Sequence, residues 1–438
     1  MRIVSRKVSI VKGGTPANEH KVMYLSGPDH FVRPRHVPIL LFYGQVGGKS
    51  VLPTEVLLSS LKQLLLHYPP LSGRLRRKAN STSKFELVCN DAGAEFVEAT
   101  VDGPISDFGD FQPNRLFTQL LDPVPVVLND ICEHPVLYAQ VTRFACGGAT
   151  LVVSSIHTVT DGLSVNKFIT SWSELARGVE LSDPPVHNRT LLKSTKAPDP
   201  NFKPKELRPI GNIATVAPNR DVSTWPTQRM FTFSAAQLKK VKTKASKDGV
   251  AWAFSTFESI NGHVWQSVTK ARCLDPTSNT KFLTTLDARN RVKPNLPAGF
   301  FGNAICFVSS TTTAGEIVKQ PLSYAAGLIR DAISGFSEDY MRSLFAFVEN
   351  FDGPVALNVN SGVDAGHDIS IASWVRMQFH EADFGSGKPL IAGPGNNPYD
   401  GNVIMLPGKN VGDINVYISL EPADMLRLEE DPEFFLEI

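Results

Sequence analysis

ATLVVSSIHTVTDG, residues 149–162, is the stretch on which the reading of this chain turns. Its first part, ATLVVSSI (149–156), is an apolar, β-branched run of strand length and predicts a core strand. Beyond it, Val165, Phe168, Ile169, Trp172 and Leu175 recur at helical spacing until Gly178 offers a stop. HTVTDG is therefore a short strand-to-helix connection. A rigid scaffold with a bend of this kind holds a side chain firmly while leaving it open to a cleft.

Two residues of the bend can carry chemistry. Imidazole is the side chain best poised to take a proton near neutral pH, which makes His157 a candidate general base. Asp161 can hold the imidazole in one orientation, or it can hold the loop by pairing with an arginine. Of the ten histidines only His157 has an aspartate four residues later. The spacing alone suits a histidine bonded within a turn equally well.

Outward from this centre, VPILLFY (37–43) reads as a buried strand. Pro53 then opens a helix at its favoured first-turn position. Leu57, Leu58, Leu61, Leu64 and Leu65 form its apolar stripe, and Pro69-Pro70 stops it. From Ser182 to Thr227 the texture changes. Eight prolines and little periodicity predict a long extended linker, which is sensible between two domains and unusual inside one. Strand and helix signals resume with MFTFS, AAQLKKVKTKAS and KFLTTLDA. The chain thus divides into an α/β domain over 1–181, a crossover over 182–227 and a second α/β domain over 228–438. Its 438 residues agree with two domains.

Composition excludes several functions. Lys plus Arg (44) nearly cancels Asp plus Glu (43), so no overall basic field exists to hold a nucleic acid. Cys89, Cys132, Cys146, Cys273 and Cys306 are odd in number and far apart, which argues against a disulfide framework or a zinc site and suits a reducing compartment. The opening MRIVSRKVSIVKGG lacks the apolar core of a signal peptide. No run approaches the roughly 18 apolar residues of a membrane span. The expectation is a cytoplasmic monomer that touches neither membrane nor nucleic acid.

DFGSG, Asp383 to Gly387, sets two glycines around one residue and predicts a tight loop with unusual backbone angles. Three other motifs fail on spacing. GGKS (47–50) would need its first glycine at Tyr43 to cradle phosphate. His380-Glu381 would need a second histidine at 384 to bind zinc, where Phe384 stands. The serines near His157 lack the Gly-x-Ser-x-Gly turn of a nucleophile. Lys239, Lys240, Lys242, Lys244 and Lys247 cluster on a predicted helix, as a seat for nucleotide phosphates or as a solvated face.

Taken in order, HTVTDG, the proline-rich crossing and DFGSG resemble the plant BAHD acyltransferase family along essentially the whole chain. LSGRLR (71–76), FTFSAAQLKKVK (231–242), GHVWQS (262–267), LDARNRVKPNLPAGFFGN (286–303) and SWVR (373–376) add to the match. SGPDHFVRPRHVPILLFY and SWVRMQFHEADFG are most similar to hydroxycinnamoyl-CoA shikimate/quinate transferases.

The resemblance implies two similar-sized α/β domains with an active-site channel at their interface, and a segment near 372–395 packed with the N-terminal domain. It implies an acyl-CoA thioester and a small acceptor as co-substrates, with no cofactor and no metal. His157 would be the catalytic base, and Asp161 would pair with an arginine, for which Arg289 is the candidate. Ser255, Thr256, Asp287, Arg289, Arg291 and Ser373 would line the thioester site. Trp374 and Arg376 would stand near the acceptor, the arginine gripping a carboxylate. Asp383, Gly385 and Gly387 would be structural. Three positions depart from the family: Ser386 replaces a usual tryptophan, Leu41 a usual tyrosine and Ala372 a usual threonine, the last two removing hydroxyls from the acceptor side.

Overall fold

The run at 149–156 forms strand β8 (Ala149–Ile156), and every one of its residues is buried. Leu151 and Val153 enter one core while Val152 enters another with Leu40 and Phe42. A strand covered on both faces has no polar side to show, which is why this sequence does not alternate. The computed structural model describes the chain except residues 17–18, 33, 46, 48–50, 82, 114–115, 118–119, 121–130, 195, 198, 210–225, 247–252, 352, 354, 358–365, 396 and 437–438.

Around β8 lies a mixed six-stranded sheet in the order β1 (Ile3–Val11), β6 (Ala94–Val101), β7 (Leu137–Arg143), β8, β3 (His36–Tyr43), β15 (Ile391–Pro394). A second six-stranded sheet runs β10 (Thr227–Phe233), β17 (Ile414–Leu420), β16 (Asn402–Pro407), β14 (Ile369–Ser373), β11 (Asn279–Asp287), β12 (Ile305–Thr313). Two smaller sheets join β2 (Lys21–Met23), β5 (Phe85–Cys89) and β4 (Arg74–Arg77), and β9 (Leu207–Pro209) with β13 (Val355–Leu357). The described helices are α1 (Gly27–Phe31), α2 (Thr54–His67), α3 (Gly162–Ala176), α4 (Ala235–Ser246), α5 (Thr256–Ala271), α6 (Ala314–Lys319), α7 (Leu322–Ser334), α8 (Glu338–Asn350) and α9 (Pro422–Glu429).

Helices α2 and α3 cover one face of the first sheet, and buried hydroxyls lock them together. Trp172 Nε1 donates to Ser60 Oγ at 3.0 Å, and Tyr68 Oη lies 3.0 Å from Ser171 Oγ. Pro53 stands at the N-cap of α2, one place before the predicted first-turn position. Gly178 ends α3 as expected: its φ of 73° is the left-handed conformation that glycine adopts without strain. The Gly178 and Val179 N–H groups donate back to Leu175 and Glu174 carbonyls at 3.0 Å each.

The two halves share one apolar core. Ile39, Leu41 and Tyr43 of β3 pack in the same cluster as Trp374, Ile404, Leu406 and Tyr417 from the second half. Strand β15 goes further and becomes the edge of the first sheet, pairing antiparallel with β3 from Ile391↔Phe42 to Pro394↔Ile39. Tyr43 Oη donates to the Ala382 carbonyl at 2.7 Å beside this crossing.

The crossover is more than an extended spacer. Residues 210–225 of it lie outside the described residues, but Val186 exchanges backbone bonds with Gly299 and Phe301 at 2.8 and 2.9 Å. Arg189 is 1% exposed, so this segment contributes a charge to the interior, which proline content and periodicity could not reveal. Among the described residues no helix is long and apolar enough to cross a membrane.

Candidate active site

His157 is the first residue after β8, and backbone bonds on both sides fix it. Its N–H donates to the Arg35 carbonyl at 2.8 Å, and its carbonyl accepts from Asn303 Nδ2 at 2.8 Å. The turn after it closes with Val159 N–H donating to Ile156 O at 2.8 Å. The residue is partly exposed at the seam of the two halves, while Nδ1 is buried with no hydrogen-bond partner among the described residues. Burial holds the imidazole pKa below its ordinary 6.5, and the positive charge of Arg35 pushes it the same way. The neutral ring, able to accept a proton, is therefore the resting form at neutral pH.

Asp161 does not touch this ring. It caps α3, its Oδ1 accepting from Ser164 N–H at 2.9 Å. Arg289 bridges both carboxylate oxygens, Nη1 to Oδ2 at 2.8 Å and Nη2 to Oδ1 at 3.0 Å, and Ala304 N–H donates to Oδ2 at 3.0 Å. The carboxylate thus has donors from α3 and from the second half of the chain. Burial alone would raise its pKa, but Arg289 and the N–H donors overcome that and hold it below the usual range. Of the two roles left open for Asp161, the geometry selects the arginine clamp.

A second buried network, absent from the sequence reading, braces the same turn. Asp29 and Arg189, 0% and 1% exposed, form an ion pair at 2.5 Å, and Arg189 Nη2 donates to Val159 O at 2.7 Å. Asn303 Nδ2 spans Asp29 Oδ1 (3.0 Å) and the His157 carbonyl (2.8 Å). Ser26 N–H and Oγ both donate to Asp29 Oδ2, at 2.8 and 2.9 Å, and the Ser26-x-x-Asp29 spacing of a helix start is the one local signal that could have found Asp29.

The expected thioester-site residues divide into two groups. Asp287 and Ser373 end the parallel neighbours β11 and β14, and Asp287 Oδ1 lies 3.1 Å from Arg289 Nη1. Asp287 and Arg291 are exposed, and Asp287 Oδ1 accepts from Arg289 N–H at 3.1 Å. Ser255 and Thr256 are exposed at the start of α5, where Ser255 forms a capping box with Glu258. Lys239, Lys240 and Lys244 stand on the exposed side of α4, whose Leu238, Val241 and Ala245 are buried; Lys247 lies outside the described residues.

Of the expected acceptor residues, Trp374 is buried and packs at an angle on Phe379, whereas Arg376 is exposed. Met377 packs directly against Gly162 at the start of α3, so close that a Cβ there would meet its methyl carbon at 2.5 Å. The DFGSG loop turns as predicted, with φ of 93° at Gly385 and 90° at Gly387. Asp383 Oδ1 accepts from both glycine N–H groups, at 2.8 and 2.9 Å, and so holds its own loop. Phe384 seats that loop edge-on against Tyr43 and Trp172 of the first domain, and Ser386 Oγ accepts from Leu52 N–H at 3.3 Å.

The model of the Transferase family matches residues 1–435. The chain belongs to this family, the BAHD acyltransferases. A shikimate O-hydroxycinnamoyltransferase of Nicotiana tabacum is 33% identical over 98% of this chain and 99% of its own length. A hydroxycinnamoyl-CoA:5-hydroxyanthranilate N-hydroxycinnamoyltransferase of Avena sativa is 32% identical over 97% and 98%. The structure of F. sporotrichioides TRI101 complexed with coenzyme A and T-2 superposes with a TM-score of 0.78, at 21% identity over 95% and 98% of the two chains, and shares the fold. As a BAHD member the chain is a CoA-dependent acyltransferase with relatives of hydroxycinnamoyl type.

Proposed function

We propose that this BAHD enzyme transfers a hydroxycinnamoyl group from a CoA thioester to the hydroxyl of a small acceptor such as shikimate or quinate, with His157 as general base. The observation that carries the assignment is a neutral, partly exposed imidazole at the seam, fixed by backbone bonds from both halves. With Nδ1 buried, Nε2 is the nitrogen available to reactants. It removes the acceptor proton as the oxygen attacks the thioester carbonyl. The tetrahedral intermediate then collapses, the C–S bond breaks, and the imidazolium returns its proton to the departing thiolate. The channel at the interface, the thioester contacts of Ser255, Thr256, Asp287, Arg291 and Ser373, and the acceptor contacts of Trp374 and Arg376 belong to this reading.

An amine acceptor is the second reading. Leu41 is buried in the shared core and Ala372 packs on it, so carbon replaces two family hydroxyls there. The oat relative is named for transfer to nitrogen. Incubation with p-coumaroyl-CoA and a panel of hydroxyl and amine acceptors, with products identified by mass, tests both. An ester or amide product is expected. Free p-coumarate released without any acceptor would mean a thioesterase, and no turnover at all would mean a thioester-binding protein.

A further inference from the structure

Arg35 stands directly opposite the base. In the antiparallel ladder of β3 and β8, His36 pairs with Ile156, so the next step brings Arg35 opposite His157. The 2.8 Å bond from His157 N–H to Arg35 O shows that the pairing continues to that point. Opposed residues of such a ladder send their side chains to one face, with Cβ atoms about 4.5–5.5 Å apart. By the two-residue alternation of a strand, Arg35 also shares its face with Ile39 and Leu41, which pack toward Trp374 and Ile404 of the second half. Its guanidinium accordingly reaches the seam, where Cζ lies 5.0 Å from the ring centroid of Tyr399.

The arginines around this turn differ in what they hold. Arg189 and Arg289 are each committed to a buried carboxylate, Asp29 and Asp161. Among the described residues no carboxylate lies within ion-pair range of Arg35, although its side chain is half-buried. The contact with Tyr399 is a cation–π one, and among the described residues none of the guanidinium N–H groups has a hydrogen-bond partner. A planar fork with its edge free is matched to a carboxylate, which it grips through two parallel hydrogen bonds.

We propose that Arg35 binds the carboxylate of the acceptor, which makes the acceptor class hydroxy or amino acids whose nucleophile then lies at His157. This rests on the acyl transfer proposed above. Arg376, exposed on the turn after β14, is then a second acceptor contact beside it.

The test uses p-coumaroyl-CoA with matched acceptor pairs: shikimate and methyl shikimate, 5-hydroxyanthranilate and its methyl ester. The wild-type chain is expected to favour the acid of a pair in kcat/KM. Arg35→Met is expected to raise KM for the acid by about ten- to a hundredfold, the range of a charge-assisted bond, and to bring the acid-to-ester ratio toward one. Arg35→Lys, which keeps the charge without the fork, is expected to restore part of that ratio. Equal use of acid and ester by the wild type, which needs no variant to fold, would overturn the proposal. So would equal losses on acid and ester in Arg35→Met. Transfer to no member of either pair would reject the acyl-transfer reading, and the role of Arg35 with it.

Discussion

Alanine at position 157 is expected to lower kcat by about 10²–10⁴-fold, the contribution of a positioned general base. The fold should survive the change. The turn is held by the His157 N–H and carbonyl, by the Val159 closure and by Asn303, none of which uses the ring. Thioester binding should persist as well, so the loss falls on kcat rather than on KM for the thioester. Thiol release followed beside a thermal melt separates the two. A folded variant that turns over normally would remove His157 from the chemistry.

The second large effect concerns stability. Arg289→Met leaves Asp161, 2% exposed, with a buried charge and only the Ser164 and Ala304 N–H groups to hold it. Removing one partner of such a pair costs about 3–5 kcal/mol. Asp161→Ala should cost less, because Arg289, 11% exposed, keeps the Asp287 carboxylate at 3.1 Å, while α3 loses its cap. The double substitution should cost clearly less than the two together, since no lone charge remains. Denaturant unfolding of the three variants checks this; additive losses would mean that the two residues act apart. Activity should fall with stability, because this pair joins the His157 turn to the loop that carries Asn303 and Ala304.

The parts of the fold that were legible in the sequence are those whose causes are local. The apolar run of β8, the stripe of α3 and its glycine stop each depend on a few neighbouring residues, and the turn between them followed at once. The two glycines of DFGSG likewise announced their backbone angles. Partners 128 to 274 residues apart leave no such trace. Arg289 was found for Asp161 through family resemblance, and Arg189 and Asn303 were not found for Asp29 at all. An arginine in a proline-rich crossing looks like a solvated linker residue until the chain is folded. Leu41 could be read as a missing hydroxyl, but the place of Arg35 beside the base required the register of β3 on β8.

A neutral imidazole that takes the acceptor proton is the centre of the proposed reaction. The most direct measurement is the pH dependence of kcat/KM for the acceptor at saturating thioester, for the wild type and His157→Ala in parallel. Because burial and Arg35 both lower the His157 pKa, the wild-type rate should decline with one proton on the acid side, with its midpoint below pH 6.5. The variant should lack this decline. A wild-type midpoint above pH 6.5, or the same acid limb in the variant, would contradict the assignment.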